Sequence, residues 1–309
     1  MTDSNNSLLR KIITKTAVVL MAASMAISAS AFNVSADSLE SVQPGNSVVL
    51  GAADSKITLG KVKMISEAKY GNDSTHPFNN QTSAITLNWK PVKNAVRYQI
   101  YIKGGKYKSW KKYKTIFATD TSYTVKKLQR NTQYSFKVRA TAPGVTGAFS
   151  SVQKISTARI DYDWAGWQAM CRIVYHEVGQ MSDSMWDKPI VYVSDCVVNR
   201  YEAAKYLNDS TWAPYYRNYG SVQSMIYSSG GFMSDAGLAR DGATYSRCTK
   251  RVKLAVYGAI YDKATVSGIK NDHDVFYWSN TSYKPNSWKI AYSYRIPWGY
   301  FNIWSEYWG

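Results

Sequence analysis

The stretch AMCRIVYHEVGQ, Ala169–Gln180, sets the organisation of the second half of the chain. Its apolar residues and Trp167 recur at steps of three and four, which predicts an amphipathic helix. Glu177 is the one acid on or beside the apolar face, and Gly179 follows as a helix-ending glycine would. The negative end of the helix dipole and the apolar neighbours both disfavour ionisation. Glu177 is therefore expected to hold a proton near neutral pH, as a general acid must. The alternative is a surface glutamate in an ordinary helix.

Further helices are predicted downstream of this stretch. One begins near Pro189, a short one covers residues 221–227, and a third long one includes residues 252–260. A polar loop is expected after Phe232. The tail, 275–304, is aromatic and turn-rich, and a loop region of this kind beside helices predicts a groove wall.

The first 36 residues have the composition of a secretory signal peptide. Basic residues precede the apolar run Ala17–Ile27, and small residues follow it. Residues 37–56 have no clear period and are predicted to be a linker. No later segment is apolar enough to cross a bilayer. We therefore expect an exported protein, secreted or associated with the cell wall, with no membrane span after signal cleavage.

The whole chain has a formal net charge of +17, and its basic residues are concentrated in the middle. Residues 56–157 contain 19 Lys and Arg against three acids, whereas residues 158–309 contain 16 against 14. A concentrated positive field attracts polyanions. With an export signal, anionic cell-wall polymers are the expected partner, and nucleic acid is not.

Residues 57–157 contain short alternating runs at even spacing, which predicts an antiparallel β-sandwich. The runs are 84–89, 98–102, 122–125 and 134–138. The LNW triplet ending at Trp89, and Leu128 followed by a tyrosine corner at Tyr134, resemble a fibronectin type III domain. Such a domain implies binding or spacing rather than catalysis. The lysine-rich run Lys103–Lys114 is expected to be a solvated hairpin protecting an edge strand, or a contact for a wall polymer.

Five segments of the second half occur in the order typical of one enzyme family. They are Arg172–Gly179, Cys196–Arg200, Met225–Phe232, Val275–Asn280 and Ile296–Phe301. Together they resemble the SleB-like catalytic domain of the spore-cortex-lytic cell wall hydrolases. This resemblance implies a mainly helical (α+β), lysozyme-like domain over 162–309 that cleaves the glycan strand of peptidoglycan. It places the catalytic glutamate at Glu177 and implies lytic transglycosylation. The chain departs from many members in lacking a second acid directly after this glutamate.

The residues themselves also bear on the reaction. Hydrolysing glycosidases use two carboxylates, and Asp183, Asp187, Asp235 and Asp241 are candidates by proximity only. A transglycosylase needs one acid, because the 6-hydroxyl of the substrate replaces water as the nucleophile. Hydrogen bonding and stacking on a sugar are expected of six residues, for each of which core packing is the alternative. These residues are Asn199, Phe232, Tyr277, Trp278, Tyr292 and Phe301.

Other chemistries have weaker support in the sequence. The three cysteines, Cys171, Cys196 and Cys248, are an odd number and not a disulfide framework; buried apolar roles are expected for them, with one bridge among the three as the alternative. The scattered histidines lack the spacing of zinc ligands, and no phosphate loop or dinucleotide pattern is present. We therefore expect no metal or cofactor. The competing function is a non-catalytic wall-binding protein whose second module is an inactive relative of the hydrolases.

Overall fold

The structure, a computed structural model, describes residues 57–66, 81–180, 184–211, 220–264 and 266–306. The predicted signal peptide and linker, and Asp183, lie outside the described residues. Within the described ranges, every helix is too short or too polar to cross a lipid bilayer. These ranges hold an N-terminal β-sandwich, a helical region and a C-terminal three-stranded sheet.

The sandwich consists of two antiparallel sheets. The smaller sheet has the order β1-β2-β5, and the larger has the order β4-β3-β6-β7, with β8 also paired to β6. The strands are β1 (Met64–Ile65), β2 (Ile85–Trp89), β3 (Arg97–Gly104), β4 (Tyr107–Phe117), β5 (Ser122–Val125), β6 (Gln133–Ala142), β7 (Val145–Thr146) and β8 (Gln153–Ser156). The four alternating runs of the sequence are therefore β2, β3, β5 and β6.

The core of the sandwich follows from the alternation of the strands. Alternate residues of β2, β3 and β6 are buried, and Trp89 packs edge-on against Tyr98 with ring centroids 5.3 Å apart. The hydroxyl of Tyr134 accepts a hydrogen bond of 2.9 Å from the backbone N–H of Gln129. This bond is the tyrosine corner that the sequence predicts.

Most of the lysine-rich run is a strand and not a loop. Residues 107–117 form β4, the edge strand of the larger sheet, and a tight turn joins it to β3, so the predicted hairpin at an edge strand is present. Two β-bulges interrupt its pairing with β3, which let Tyr113 reach the core side while the neighbouring lysines stay exposed.

The helical region contains five α-helices among the described residues. They are α1 (Trp164–Val174), α2 (Asp187–Glu202), α3 (Val222–Tyr227), α4 (Asp235–Arg240) and α5 (Lys250–Tyr261). Helix α2 lies at the centre, since all but one of its residues are buried, and it packs on α1, α5 and the C-terminal sheet. The three predicted helices downstream of Glu177 correspond to α2, α3 and α5. The predicted polar loop after Phe232 contains the short α4.

The aromatic tail is a sheet, where the sequence predicted a loop region. Strands β9 (Tyr277–Thr281), β10 (Ile290–Ile296) and β11 (Gly299–Trp304) pair in the order β10-β11-β9, all antiparallel. Aromatic and β-branched side chains favour strands even without strict alternation. Gly299 has φ +146, and a Cβ there would lie 2.1 Å from the carbonyl oxygen of Thr281, so the turn into β11 requires glycine.

The segment joining the sandwich to the helices is buried. Ala158 and Ile160 belong to the core of the helical region, and the backbone N–H of Arg159 donates to the carbonyl of Ile260 at 2.8 Å. The guanidinium of Arg159 bonds to Glu202, to Asn199 at 2.8 Å and to the carbonyl of Ala259 at 3.2 Å. Residues 158–161 are therefore part of the folded core rather than a tether.

Candidate functional site

Glu177 lies where the first helix changes its winding. Asp163 caps the N-terminus of α1 by accepting a hydrogen bond of 2.8 Å from the N–H of Gly166. The α-helical pattern ends at Val174, and residues 175–179 form one π-helical turn that contains Glu177. Single π turns are frequent at functional sites, because the wider turn changes the direction of a side chain.

Gly179 is required here for packing and not for a left-handed conformation. Its φ lies outside the positive region, but a Cβ at this position would lie 2.4 Å from Cγ2 of Val252 on α5. The glycine that the sequence marks as a helix end therefore lets the π turn lie directly against α5.

The Glu177 carboxyl group is bound by the C-terminal sheet. The indole N–H of Trp278 on β9 donates to Oε2 of Glu177 at 2.9 Å. The side chain remains 27% exposed, so the apolar enclosure expected from the sequence is only partial. An indole N–H can donate to a carboxylate or to the carbonyl oxygen of a protonated carboxyl group. The contact therefore fixes the orientation of Glu177 in both protonation states.

A stacked pair of rings lies beside this carboxyl group. Phe232, in the loop after α3, stacks on Trp278 with centroids 5.5 Å apart and an interplanar angle of 7°. Both side chains are half-buried. Flat, partly exposed rings suit stacking on the apolar face of a sugar.

Arg200 contacts the rings beside Glu177, a role that its sequence pattern did not predict. The guanidinium carbon lies 4.5 Å from the ring centroid of Phe232, 4.6 Å from that of Tyr277 and 5.7 Å from that of Trp278. Its Nε donates to the carbonyl of Phe276 at 2.6 Å. A single residue of α2 therefore contacts three of the predicted sugar-binding rings. The signal in the sequence was the pair Asn199-Arg200 in the middle of α2, of which Arg200 and not Asn199 faces the rings.

Asn199 itself is buried and has structural contacts. Its amide donates to the carbonyls of Asp272 and Val275, and its oxygen accepts from Arg159. With its donors and acceptor engaged in the interior, it positions the segment before β9. The expected hydrogen bond to a sugar does not fit this location.

Two other residues predicted to bind sugar are also not among the residues that contact the Glu177 carboxyl group. Phe301 is buried in β11 and packs on Trp186. Tyr292 lies on β10, stacked 4.4 Å from Tyr192, and its hydroxyl donates to Asp272 at 3.0 Å. Phe301 therefore has the core-packing role named as its alternative, whereas Tyr292 keeps an exposed edge.

A second acid approaches Glu177 through a histidine. Nε2 of His176 lies 4.0 Å from Oε1 of Glu177 and 3.9 Å from Oδ2 of Asp241. Oε1 of Glu177 and Oδ2 of Asp241 are thus at most about 8 Å apart, which does not exceed the carboxylate separation of inverting glycosidases. A hydrogen bond from Arg240 lowers the pKa of Asp241, so this group is ionised at neutral pH.

The other candidate acids that the structure describes are engaged elsewhere. Asp187 pairs with Arg251 at 2.7 Å, and Asp235 pairs with Arg172. The Arg172 pair links α1 to α4, next to the loop that carries Phe232. Asp241 is therefore the described candidate that the fold brings nearest to the π turn.

The cysteines have buried positions. Within the described residues, Cys171, Cys196 and Cys248 are buried thiols and none forms a disulfide. Burial raises the pKa of the Cys196 thiol well above its usual range, which does not suit a nucleophile. Among the same residues, no three His, Cys, Asp or Glu side chains are grouped as metal ligands.

Comparison with known proteins identifies part of the chain. No curated protein sequence matches it. Similar solved structures include the FN1-FN3 domains of chicken CNTN1, 25% identical over 25% of this chain and 26% of that chain, with a TM-score of 0.23. The FN5 domain of Drosophila Lar is 19% identical over 32% and 95%, with a TM-score of 0.24. Residues 75–155 match the fibronectin type III domain family, and this part of the chain is a fibronectin type III domain.

Proposed function

We propose that this protein is an exported enzyme that cleaves the glycan strand of peptidoglycan, with Glu177 as its single essential acid and lytic transglycosylation as its reaction. The observation that carries this proposal is the Glu177 carboxyl group, partly exposed and held by Trp278 beside the Phe232 ring. A general acid next to a stacking platform suits a polymer of sugar rings.

The reaction requires only groups that this site and the substrate supply. Glu177 donates its proton to the glycosidic oxygen as the bond from that oxygen to the anomeric carbon breaks. The 6-hydroxyl of the same sugar then attacks the anomeric carbon and returns its proton to Glu177. The product is a 1,6-anhydro end, no water is consumed, and Glu177 regains its initial state. Trp278 keeps the carboxyl group oriented in both steps.

The sequence motifs support the same proposal. They resemble SleB-like cell wall hydrolases, which implies a lysozyme-like arrangement of the helical region. The fibronectin type III domain then holds the enzyme to anionic wall polymers through its positive charge. The leader of residues 1–36 supports export to the wall.

Hydrolysis is a second candidate because of Asp241. An ionised carboxylate at most about 8 Å from Glu177 could activate a water molecule for attack on the anomeric carbon. In that reaction, the product has a reducing end and retains the elements of water. The two reactions therefore differ in product mass and in their need for Asp241.

Digestion of purified peptidoglycan sacculi by the purified protein tests the proposal. Glu177→Gln should lower the release of muropeptides by about 100-fold or more, because general acid catalysis is lost. Glu306→Gln, at an exposed glutamate, is the matched control and should leave release unchanged. Mass spectrometry of the products should find anhydro ends with the wild type, and Asp241→Asn should keep the activity.

The other outcomes are equally specific. If the wild type produces reducing ends and Asp241→Asn does not, the reaction is hydrolysis and not transglycosylation. Undiminished release by Glu177→Gln would refute the role of this residue. Binding of sacculi without release by any form would favour the non-catalytic wall-binding protein.

A further inference from the structure

The larger sheet of the fibronectin type III domain presents a cationic face to solvent. Alternate residues of β3 and β6 are buried, so the residues between them on each strand point outward. Strand register then places outward residues in rows across the sheet. One row consists of Lys112, Tyr101 and Lys137. The next consists of Lys103, Ser135 and Lys154, with Ser135 in the middle. Arg139 follows Lys137 on β6. We call this surface the basic face and define it by Lys103, Lys112, Lys137, Arg139 and Lys154.

Aromatic rings hold the central cations of the basic face in fixed positions. The ammonium of Lys137 lies 4.4 Å from the ring centroid of Trp110 and 4.2 Å from that of Phe149. The guanidinium of Arg139 lies 4.7 Å from the ring of Phe149 and donates to the hydroxyl of Tyr101 at 3.1 Å. Cations held over rings lose little further conformational entropy when they meet an anion.

The basic face carries almost no opposing charge. Residues 81–157 contain 15 Lys and Arg and a single acid, Asp120, which lies in the turn after β4. Lys103, Lys108 and Lys112 are exposed near the β4 edge, and Lys154 is exposed on β8. The positive charge therefore extends across the whole width of the sheet.

The chemistry of the face favours phosphate groups over bases or carboxylates. Its central rings are covered by cations and by edge-on packing of Tyr101 against Phe149, at 4.9 Å and 85°, so they offer little open surface for base stacking. Arg139 already uses its Nε and Nη2 on Gln99 and Tyr101, so it does not offer an open fork to a carboxylate. The exposed cations are lysines, which bind phosphate as point charges.

We propose that the basic face binds a polyol-phosphate polymer, an extended polyanion with a phosphodiester in each repeat. Rows of the sheet are two residues apart along a strand, which separates successive rows by about 7 Å. The polymer would run obliquely over the strands, with one phosphate on Lys112 in one row and others on Lys103 and Lys154 in the next. This partner depends on the proposed location at the wall, but binding is measured separately from glycan cleavage.

The test uses the purified protein carrying Glu177→Gln, so that loss of cleavage and loss of binding are distinguished. The probe is lipid-free poly(glycerol phosphate), measured by isothermal titration calorimetry at low salt. Lys103→Gln, Lys112→Gln and Lys154→Gln together should weaken binding by roughly tenfold or more. The matched control changes Lys90, Lys93 and Lys126 to Gln, which removes the same charge from exposed sites off this face. The control should weaken binding by less than about twofold at the same salt concentration.

Three results would overturn the proposal. The first is equal weakening by the two triple variants, which would assign binding to net charge alone. The second is equal or tighter binding of single-stranded DNA, which would assign the face to nucleic acid. The third is no binding of the polymer by the protein with its lysines intact.

Discussion

The contact between Trp278 and Glu177 joins two segments that are 101 residues apart in the sequence. Because the carboxyl group is partly exposed, its orientation depends on this indole N–H more than on enclosure by neighbours. The stacked Phe232 ring fixes the indole in turn. In the proposed reaction, Trp278 would therefore both orient the acid and stack on the substrate.

Trp278→Phe separates these two functions. It keeps a ring on Phe232 but removes the hydrogen bond to Glu177. In the proposed reaction this acceptor becomes charged as the proton is transferred, and a hydrogen bond to a charged group contributes about 1.5–3 kcal/mol. The rate constant for muropeptide release should fall by roughly 10-fold to 100-fold, while the KM for sacculi changes less than about twofold. Trp288→Phe, at an exposed tryptophan of the tail, should change neither constant. An unchanged rate in Trp278→Phe would mean that the indole does not orient the acid.

The sequence locates some residues of the site and misplaces others for a physical reason. The structure brings together four of the predicted site residues, Glu177, Phe232, Tyr277 and Trp278. Each of them belongs to a segment with a recognisable sequence motif. Asn199 and Arg200 are adjacent on α2, and a helix turns about 100° per residue, so only one could face the rings. Which of them does so depends on how α2 packs on β9, which no local pattern encodes. Asp241 joins the site only because α4 folds back against the π turn.

At the scale of elements, α2 anchors the segment before β9 through a buried acid. Asp195 is fully buried and accepts hydrogen bonds from the Asn271 amide at 2.6 Å and from the backbone of Asp272 at 2.8 Å. Burial raises the pKa of Asp195 to about 8 in spite of these donors. The acid in the middle of α2 is therefore largely protonated at neutral pH in the folded protein.

This raised pKa predicts a pH-dependent stability. Between about pH 4 and about pH 8 the folded protein keeps a proton that the unfolded chain has lost, so stability falls as pH rises. The limiting slope is about 1.4 kcal/mol per pH unit. Asp195→Asn cannot ionise, and its free energy of unfolding, measured by urea denaturation, should decline less steeply from pH 5 to pH 8. Asp274→Asn, at an exposed acid nearby, should keep the wild-type slope. Parallel curves for Asp195→Asn and the wild type would contradict this origin.

Elements differ in how far the sequence predicts them. Strand β5 has the bounds of its alternating run, 122–125, because one face of it is buried and the other is not. The tail has no such pattern, since β11 is buried along nearly its whole length and its sequence, GYFNIW, does not alternate between apolar and polar residues. The lysines of β4 also concealed a strand, because an edge strand needs few buried residues.

At the scale of the whole molecule, the sandwich and the helices share a charged junction. Arg130 of the sandwich and Arg159 of the connecting segment both pair with Glu202 at the end of α2. Asp161 accepts hydrogen bonds from Thr82 on one side and Tyr206 on the other. The fibronectin type III domain is thereby fixed to the helical region by groups that are mostly buried.

Arg159→Met tests this junction. It leaves Glu202 buried with one partner fewer, which should lower the free energy of unfolding by about 3–5 kcal/mol. The double variant Arg159→Met, Glu202→Met should be less destabilised than Arg159→Met alone, because the buried carboxylate that lost Arg159 as its partner is removed as well. The wild type should unfold in urea in a single transition followed by both tryptophan fluorescence and circular dichroism.

The control for the junction is an exposed ion pair. Arg240→Met removes the partner of Asp241 at the surface and should leave the denaturation midpoint unchanged. Two separate transitions in the wild type would show that the sandwich and the helices unfold independently, against the coupling that the junction predicts.

The buried connection at residues 158–161 has a consequence for how such an enzyme would work in a thick wall. A catalytic domain on a flexible tether can act anywhere within a volume around its anchor. The helical region, if it acts as the proposed enzyme, is instead joined rigidly to the fibronectin type III domain that is proposed to bind the polymer. The distance between the site around Glu177 and the basic face is then fixed by the fold. Glycan strands would be cleaved at one fixed distance from the bound polymer. Cleavage at a new place would require the fibronectin type III domain to dissociate and bind again elsewhere.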